Sequence, residues 1–448
     1  MNTIENKKRL AKAVLVGLQL PGMNKNEVEG SLDELGRLVK TLGFEVVATL
    51  SQKRTSPNKG TIIGKGRLIE LCQMTGGPGP TGTSDEDIED KEEDALQQGV
   101  ASILANIVIF DCDIGPTQLM NLEKATGVEV LDRTGVILEI FSSHAKSRES
   151  RMQVELAKLA YLAPRLRVSR IGADRQGGGI GAKGAGETAR ELDKRRIRDR
   201  MAELRRNIDA INRDDANRRQ HRQDILSVAL VGYTNAGKSS LMRALTRSPV
   251  LVEDKLFATL GTTVRLLHPP SVPKVLISDT VGFIKNLPHG LVASFRSTLD
   301  EACSASLLLF TVDASDMNFR EQITVTKEVL SSIDAGEIPS QLVLNKTDQI
   351  GPETLESLKQ EFPDAILIST RNTEDVKAVR EIVISSFEKD MEDRSFHIPF
   401  AKSNLLDSIR EKLRVLQETH DYNGTCLKVR GKVTTLQWVE SQLANVQS

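Results

Sequence analysis

The residues best suited to chemistry lie between Gly232 and Thr370. Gly232-Tyr233-Thr234-Asn235-Ala236-Gly237-Lys238-Ser239 spells G-x-x-x-x-G-K-S. It follows the apolar run Val228–Val231 and precedes an apolar helical stretch, Leu241–Leu245, with Ser240 between. In a strand–loop–helix context the glycines let backbone N–H groups turn inward around a β-phosphate, at a helix N-terminus that already favours anions. Lys238 would bridge β- and γ-phosphate oxygens, and the Ser239 hydroxyl would ligate Mg²⁺. Val275–Ser278 then leads into Asp279-Thr-Val-Gly282, where Asp279 would hold a magnesium-bound water and the Gly282 N–H would sense the γ-phosphate. Leu342–Leu344 leads into Asn345-Lys346-Thr347-Asp348. A carboxylate at Asp348 accepts two hydrogen bonds from guanine N1–H and its exocyclic amine, and adenine would leave it unpaired. Ile366–Ile368 leads into Ser369-Thr370, where a backbone N–H would meet guanine O6. Four motifs, in order and each at the end of a predicted strand, point to a GTP/GDP site, because nucleotides bind at the carboxyl ends of strands in such sheets.

The elements that must position these residues read as an α/β multidomain chain. A P-loop G domain with a parallel sheet is predicted over residues 224–392, and a small α+β domain over 393–448. Before them, residues 1–135 read as a small α/β domain. Val14–Val16, Val46–Ala48, Ile107–Phe110 and Val128–Leu131 supply its strands, and Glu27–Leu42 a helix with an apolar stripe. A Gly/Pro-rich, then acidic insertion occupies residues 75–94, too poor in apolar residues to order itself. From 136 to 223 the pattern is helical, and it is interrupted by a Gly/Arg-rich loop at 164–187. Two long helices joined by that tip would form a helical hairpin. His144–Arg200 carries 15 Lys and Arg against 7 Asp and Glu. Intrahelical ion pairs account for the helix but not for Arg165, Arg167, Arg170, Arg175 and Lys183, which read as phosphate-backbone contacts to RNA.

Composition limits the alternatives. With 60 Lys and Arg against 61 Asp and Glu the formal net charge is -1, which excludes a uniformly basic protein but not a basic patch. Aromatic residues make up 4% of the 448, so base-stacking recognition is not expected. Cys72, Cys112, Cys303 and Cys426 are far apart, and neither they nor the six histidines show ligand spacing, which argues against a disulfide framework or a zinc module. The N-terminal apolar run is broken by Gln19 and Pro21, and no stretch has the roughly 18 apolar residues of a membrane span. A cytoplasmic monomer without membrane association is expected.

These residues resemble an HflX-type GTPase, of the translation-factor-related class of P-loop G proteins, over nearly the whole chain. Phe257-Ala-Thr259-Leu260 resembles that family's first switch, and Asp279-Thr-Val-Gly-Phe-Ile284 with Asn286-Leu-Pro-His289 its second. Ile63-Gly-Lys-Gly-Arg67, Asn121-Leu-Glu-Lys124, Asp132-Arg-Thr134, Gln153-Val-Glu-Leu156 and Gly184-Ala-Gly-Glu-Thr188 resemble its N-terminal signatures. The chain departs from the pattern at Gly261-Thr262, where the family has Asp-Pro, and at Ala185 and Ala189, where it has Pro and Gln. The resemblance implies that Thr259 ligates Mg²⁺ in the GTP state, and that Lys238, Thr259 and Gly282 serve catalysis. It also implies binding to the large ribosomal subunit and its RNA, which stimulates hydrolysis, with splitting or rescue of stalled or stress-damaged ribosomes. Asn235 stands where related potassium-activated GTPases carry an Asn, which adds K⁺ as an expected activator. Many G proteins place a water-orienting Gln after the D-x-x-G glycine; Phe283 stands there, so slow intrinsic hydrolysis is expected. A GTP-dependent RNA switch that never meets ribosomes and a non-hydrolysing scaffold stay open as alternatives.

Overall fold

A computed structural model describes residues 11–79, 104–169, 189–220, 225–248, 256–257, 259, 261–285 and 301–444. Most of the acidic insertion and the glycine-rich tip, with Arg170, Arg175 and Lys183, lie outside the described residues, as does the Arg167 side chain. Two compact units part at Asp209/Ala210.

In the first unit the predicted strands form one parallel sheet of β1 (Lys12–Gln19), β2 (Glu45–Lys53), β3 (Ile107–Phe110) and β4 (Glu129–Asp132), in the order β2-β1-β3-β4. Helices cover both faces, so β1 and β3 read as unbroken apolar runs rather than alternating ones. Val14, Val16, Val108 and Phe110 pack with Leu68, Leu71 and Cys72 of α2 (Lys65–Thr75) and Leu122 of α3 (Pro116–Thr126). On the other side Leu15 lies against α1 (Lys25–Thr41), beside Gly36.

The expected helical arm divides. α4 (Arg133–His144) ends at Ala145, which turns extended, and α5 (Arg148–Ser169) begins where Ser147 Oγ accepts the Ser150 N–H at 3.0 Å. α5 then runs through Pro164 to Ser169, past the point where a loop was expected. A proline inside a helix removes one hydrogen bond and crowds the carbonyl four residues back, so the continuation needs outside support. Arg165 supplies it. Its Nη1 donates to the Tyr161 carbonyl at 2.9 Å, its guanidinium lies 3.4 Å over the Tyr161 ring, and its Nη2 donates to Asp132 Oδ2 at 2.5 Å and to the Ile114 carbonyl at 3.1 Å. Arg165 is therefore not the uncompensated RNA contact that its neighbours suggest. Its charge is spent inside the unit, on a carboxylate whose side chain is 1% exposed. α6 (Ala189–Gln220) returns as a long polar helix, held to α5 by Arg200 on Glu155, with Nε–Oε1 at 2.7 Å and Nη2–Oε2 at 3.0 Å.

The second unit contains a six-stranded sheet of β5 (Leu226–Val231), β6 (Thr263–Leu266), β7 (Val275–Asp279), β8 (Leu307–Asp313), β9 (Ser340–Asn345) and β10 (Ile366–Leu367). The order is β10-β9-β8-β5-β7-β6, parallel except for β6. α7 (Lys238–Thr246) follows β5 and buries Leu241, Met242 and Leu245 against it. A three-stranded antiparallel sheet, β11 (Glu392–Pro399), β12 (Arg414–His420) and β13 (Gly424–Gly431), ordered β11-β13-β12, carries two helices on its apolar face.

Asp132 accepts four hydrogen bonds, from Gly135 N–H, Ile114 N–H, Tyr161 Oη and Arg165. Asp132→Ala strands the arginine, and a cost of about 3–5 kcal/mol is expected. Tyr161→Phe should cost about 1 kcal/mol. Urea unfolding of the full chain checks both.

Candidate nucleotide site

The loop from β5 to α7 is shaped by what cannot fit around it. Gly232 has φ +144° and an added Cβ would lie 2.0 Å from the Thr311 carbonyl oxygen. Gly237 has φ +94° and its Cβ would lie 2.1 Å from Asn345 Nδ2. Only glycine tolerates both demands. Lys238, 6% exposed, turns its Nζ onto the carbonyls of Gly232 (3.1 Å) and Tyr233 (2.7 Å), closing the loop on itself. Burial lowers its pKa to about 8, against the pull of Asp279. A cavity of about 450 Å³ opens over the loop, within the roughly 300–1,000 Å³ usual for small-molecule and cofactor sites. Thr234, Asn235, Gly237, Lys238, Ser239 and Ser240 line its floor.

Phe257, Thr259 and Gly282 line the same cavity. Ser239 Oγ, Thr259 Oγ1 and Asp279 Oδ2 form a triangle, with separations of 2.9, 3.2 and 2.6 Å. Asp279 is fully buried, and its second oxygen, Oδ1, has no hydrogen-bond partner among the described residues. Burial raises its pKa, while Lys238, Ser239, Thr259 and the Thr280 N–H oppose the shift. Two hydroxyls on a buried, under-satisfied carboxylate are the hard oxygen donors that Mg²⁺ takes, directly or through water, and these residues fit that ion. Gly282 lies against the loop: a Cβ there would come within 2.8 Å of Thr234 Cγ2 and 3.0 Å of Lys238 Nζ.

At the other end stand Asn345, Lys346, Asp348 and Thr370. Asn345 does not point into open space. Its Nδ2 donates to the Ala236 carbonyl at 2.9 Å and its Oδ1 accepts the Thr370 N–H at 3.3 Å. Lys346 pairs with Asp313 at 2.7 Å. Asp348 Oδ1 accepts Ser369 Oγ at 2.7 Å and Oδ2 accepts Arg371 Nη1 at 3.1 Å; the Ser369 hydroxyl leads the causes that hold this carboxyl below its usual range. Tyr233, Ala236 and Ser369 act from behind the wall rather than lining it. Sequence reasoning missed three lining residues: Thr280, Gln349 and Arg371. The first two are neighbours of recognised motif positions. Arg371 directly follows Ser369-Thr370, and a cation one residue beyond a base-facing motif was the available signal.

Three family patterns match the chain. Residues 29–78 and 90–142 match "GTP-binding GTPase N-terminal", 144–222 "GTP-binding GTPase Middle Region", and 227–346 "50S ribosome-binding GTPase". A GTPase HflX of Gluconacetobacter diazotrophicus is 51% identical, over 98% of this chain and 100% of that one. Those of Alkalihalophilus pseudofirmus and Escherichia coli are 38% and 32% identical, over 96% and 89% of this chain and 95% and 89% of theirs. The crystal structure of a GTP-binding protein from the archaeon Sulfolobus solfataricus in complex with GDP matches 84% of this chain and all of that one, with a TM-score of 0.42 and 23% identity.

Two outcomes follow from the geometry. Phosphate needs Lys238 as the ammonium, and above pH 8 the free protein loses that proton. GDP affinity should therefore weaken about tenfold between about pH 7 and pH 9, read by titration at fixed ionic strength. Asp348→Asn should weaken GTP binding and favour a xanthine nucleotide, whose O2 accepts where guanine donates. Unchanged GTP affinity in that variant would remove Asp348 from base recognition.

Proposed function

This chain belongs to the HflX family of GTPases and hydrolyses GTP, and from that premise we propose that it binds the large ribosomal subunit and splits or rescues stalled or stress-damaged ribosomes. The observation that carries the reading is the kinship of residues 227–346 with GTPases described as 50S ribosome-binding. The basic segment from the end of α5 toward α6 supports it. Arg167, Arg170, Arg175 and Lys183 are the charges there that would meet ribosomal RNA. On this reading residues 1–135 and 136–223 form the ribosome-facing part, 224–392 the GTP-binding domain and 393–448 an accessory domain. The protein acts as a cytoplasmic monomer.

The roles follow from where the side chains stand. Gly232 to Ser240 would wrap the phosphates, with Lys238 leaving its two carbonyls for the β- and γ-oxygens. Ser239, Thr259 and, through water, Asp279 would hold Mg²⁺, which neutralises charge on the transferring phosphoryl group. Asp348 would exchange Ser369 and Arg371 for the guanine edge, with Thr370 and Ser369 closing over O6. Phe283 offers no hydrogen bond to water and is 2% exposed. Binding without positioning leaves the barrier high. Intrinsic hydrolysis is therefore slow, and a partner that orders Thr259 and Gly282 accelerates it, with K⁺ near Asn235 adding charge.

Single-turnover hydrolysis in KCl and in NaCl, with and without large subunits, tests this. Acceleration by subunits is expected, and its salt dependence should flatten when Arg167 and Arg170 are both replaced by Ala. Fast hydrolysis indifferent to subunits would overturn the reading; equal rates in the two salts would remove K⁺ alone.

A further inference from the structure

The antiparallel sheet near the C-terminus brings three residues of metal-ligating type together on its solvent face. His397 of β11 and Cys426 of β13 are direct cross-strand partners, so both side chains leave the same face. Their neighbours Phe396, Ile398 and Leu427 point the other way, into the core. Asp421 reaches the pair from the turn between β12 and β13. Its Oδ1 is fixed by the N–H groups of Asn423 and Gly424, both at 2.8 Å. Its Oδ2 is thereby turned toward His397 Nε2 at 3.1 Å and Cys426 Sγ at 3.6 Å. One ligand atom from each residue lies within 4.8 Å of the other two.

We propose that His397, Asp421 and Cys426 form a binding site for a borderline divalent cation, Zn²⁺ in the first place. One imidazole nitrogen, one thiolate sulfur and one carboxylate oxygen are the donor types zinc takes together. The spacing agrees as well. With Zn–N and Zn–O near 2.0 Å and Zn–S near 2.3 Å, tetrahedral ligand atoms stand about 3.3–3.5 Å apart. The two contacts to Oδ2, at 3.1 and 3.6 Å, bracket that value before any ion draws them in. Two ligands sit on paired strands and the third on a hydrogen-bonded turn, so little ordering is needed. His397 and Asp421 are 42% and 46% exposed, which leaves the fourth position to water or to an outside ligand. Without a cation the Cys426 thiol donates to Oδ2. On binding, the S–H proton passes to buffer and sulfur bonds to the metal. Mg²⁺ prefers an all-oxygen set and does not compete.

The test uses the full chain with its nucleotide site saturated by Mg²⁺ and GDP, titrated with Zn²⁺ by calorimetry and then with Co²⁺ by absorption. One Zn²⁺ per chain is expected, with a sulfur-to-cobalt charge-transfer band. Cys426→Ser should abolish the band, and His397→Ala should weaken Zn²⁺ binding by more than about a hundredfold, the upper end for loss of even an outer-shell partner. Asp421→Asn keeps an oxygen to accept the turn N–H groups while removing the charge. It should also weaken binding, with circular dichroism and GTP hydrolysis unchanged. Zn²⁺ affinity equal in the parent and all three variants, or a cobalt complex without the sulfur band, overturns the proposal.

Discussion

At the end of β9 the Asn345 side chain is fully buried, with its Nδ2 on the Ala236 carbonyl and its Oδ1 accepting the Thr370 N–H. It also stands so close to Gly237 that no Cβ can come between them. The phosphate loop, the β9 terminus and the β10 loop therefore share one amide, and none can shift without stranding a buried polar group. Gly232 is pinned in the same way beneath Thr311 of β8. The phosphate loop is thus held against one side-chain amide and one backbone carbonyl, and the side chains that line the cavity there inherit their positions. Of the Asn-Lys-x-Asp motif, Asp348 brings its carboxylate to the cavity wall, while Asn345 holds the walls together.

Two carboxylates at strand ends show how burial separates structure from binding. Asp132 closes β4 and fills both oxygens with four donors, among them Arg165. Asp279 closes β7 at similar burial, yet Oδ1 stays without a partner among the described residues and its pKa is raised. A fully satisfied buried carboxylate organises its own domain. An under-satisfied one beside a lysine of lowered pKa makes a pair suited to a cation on one side and phosphates on the other.

The strands, their order of appearance and the nucleotide motifs were legible because each rests on local pattern: apolar runs, glycines at fixed offsets, a carboxylate after a strand. The α4–α5 break and the passage of α5 through Pro164 were not. Ser147 caps from within an unremarkable Lys-Ser-Arg stretch, and the anchor of the turn around Pro164 is Asp132, more than thirty positions earlier. Arg165 looked like its basic neighbours for the same reason, since charge counting cannot see a partner that only the fold supplies. His397, Asp421 and Cys426 match no ligand spacing; they meet only because β11 and β13 run antiparallel in one register.

The segment after β7 is bound to the phosphate loop more tightly than a free switch requires. Phe283 donates its N–H to Gly232 at 3.1 Å and accepts the Thr234 N–H at 2.8 Å, while the buried Tyr233 hydroxyl accepts the Lys285 N–H at 2.6 Å. A short β-bridge thus holds Asp279 to Lys285 in line with the loop, and the Phe283 ring goes into the core instead of toward the reacting water. The position that could orient that water is spent on rigidity. Such packing favours preorganisation, because a group delivered from outside would meet Lys238, Ser239 and Gly282 already at fixed separations. On the proposed reading, dependence on a partner for hydrolysis would be a consequence of packing one phenyl ring.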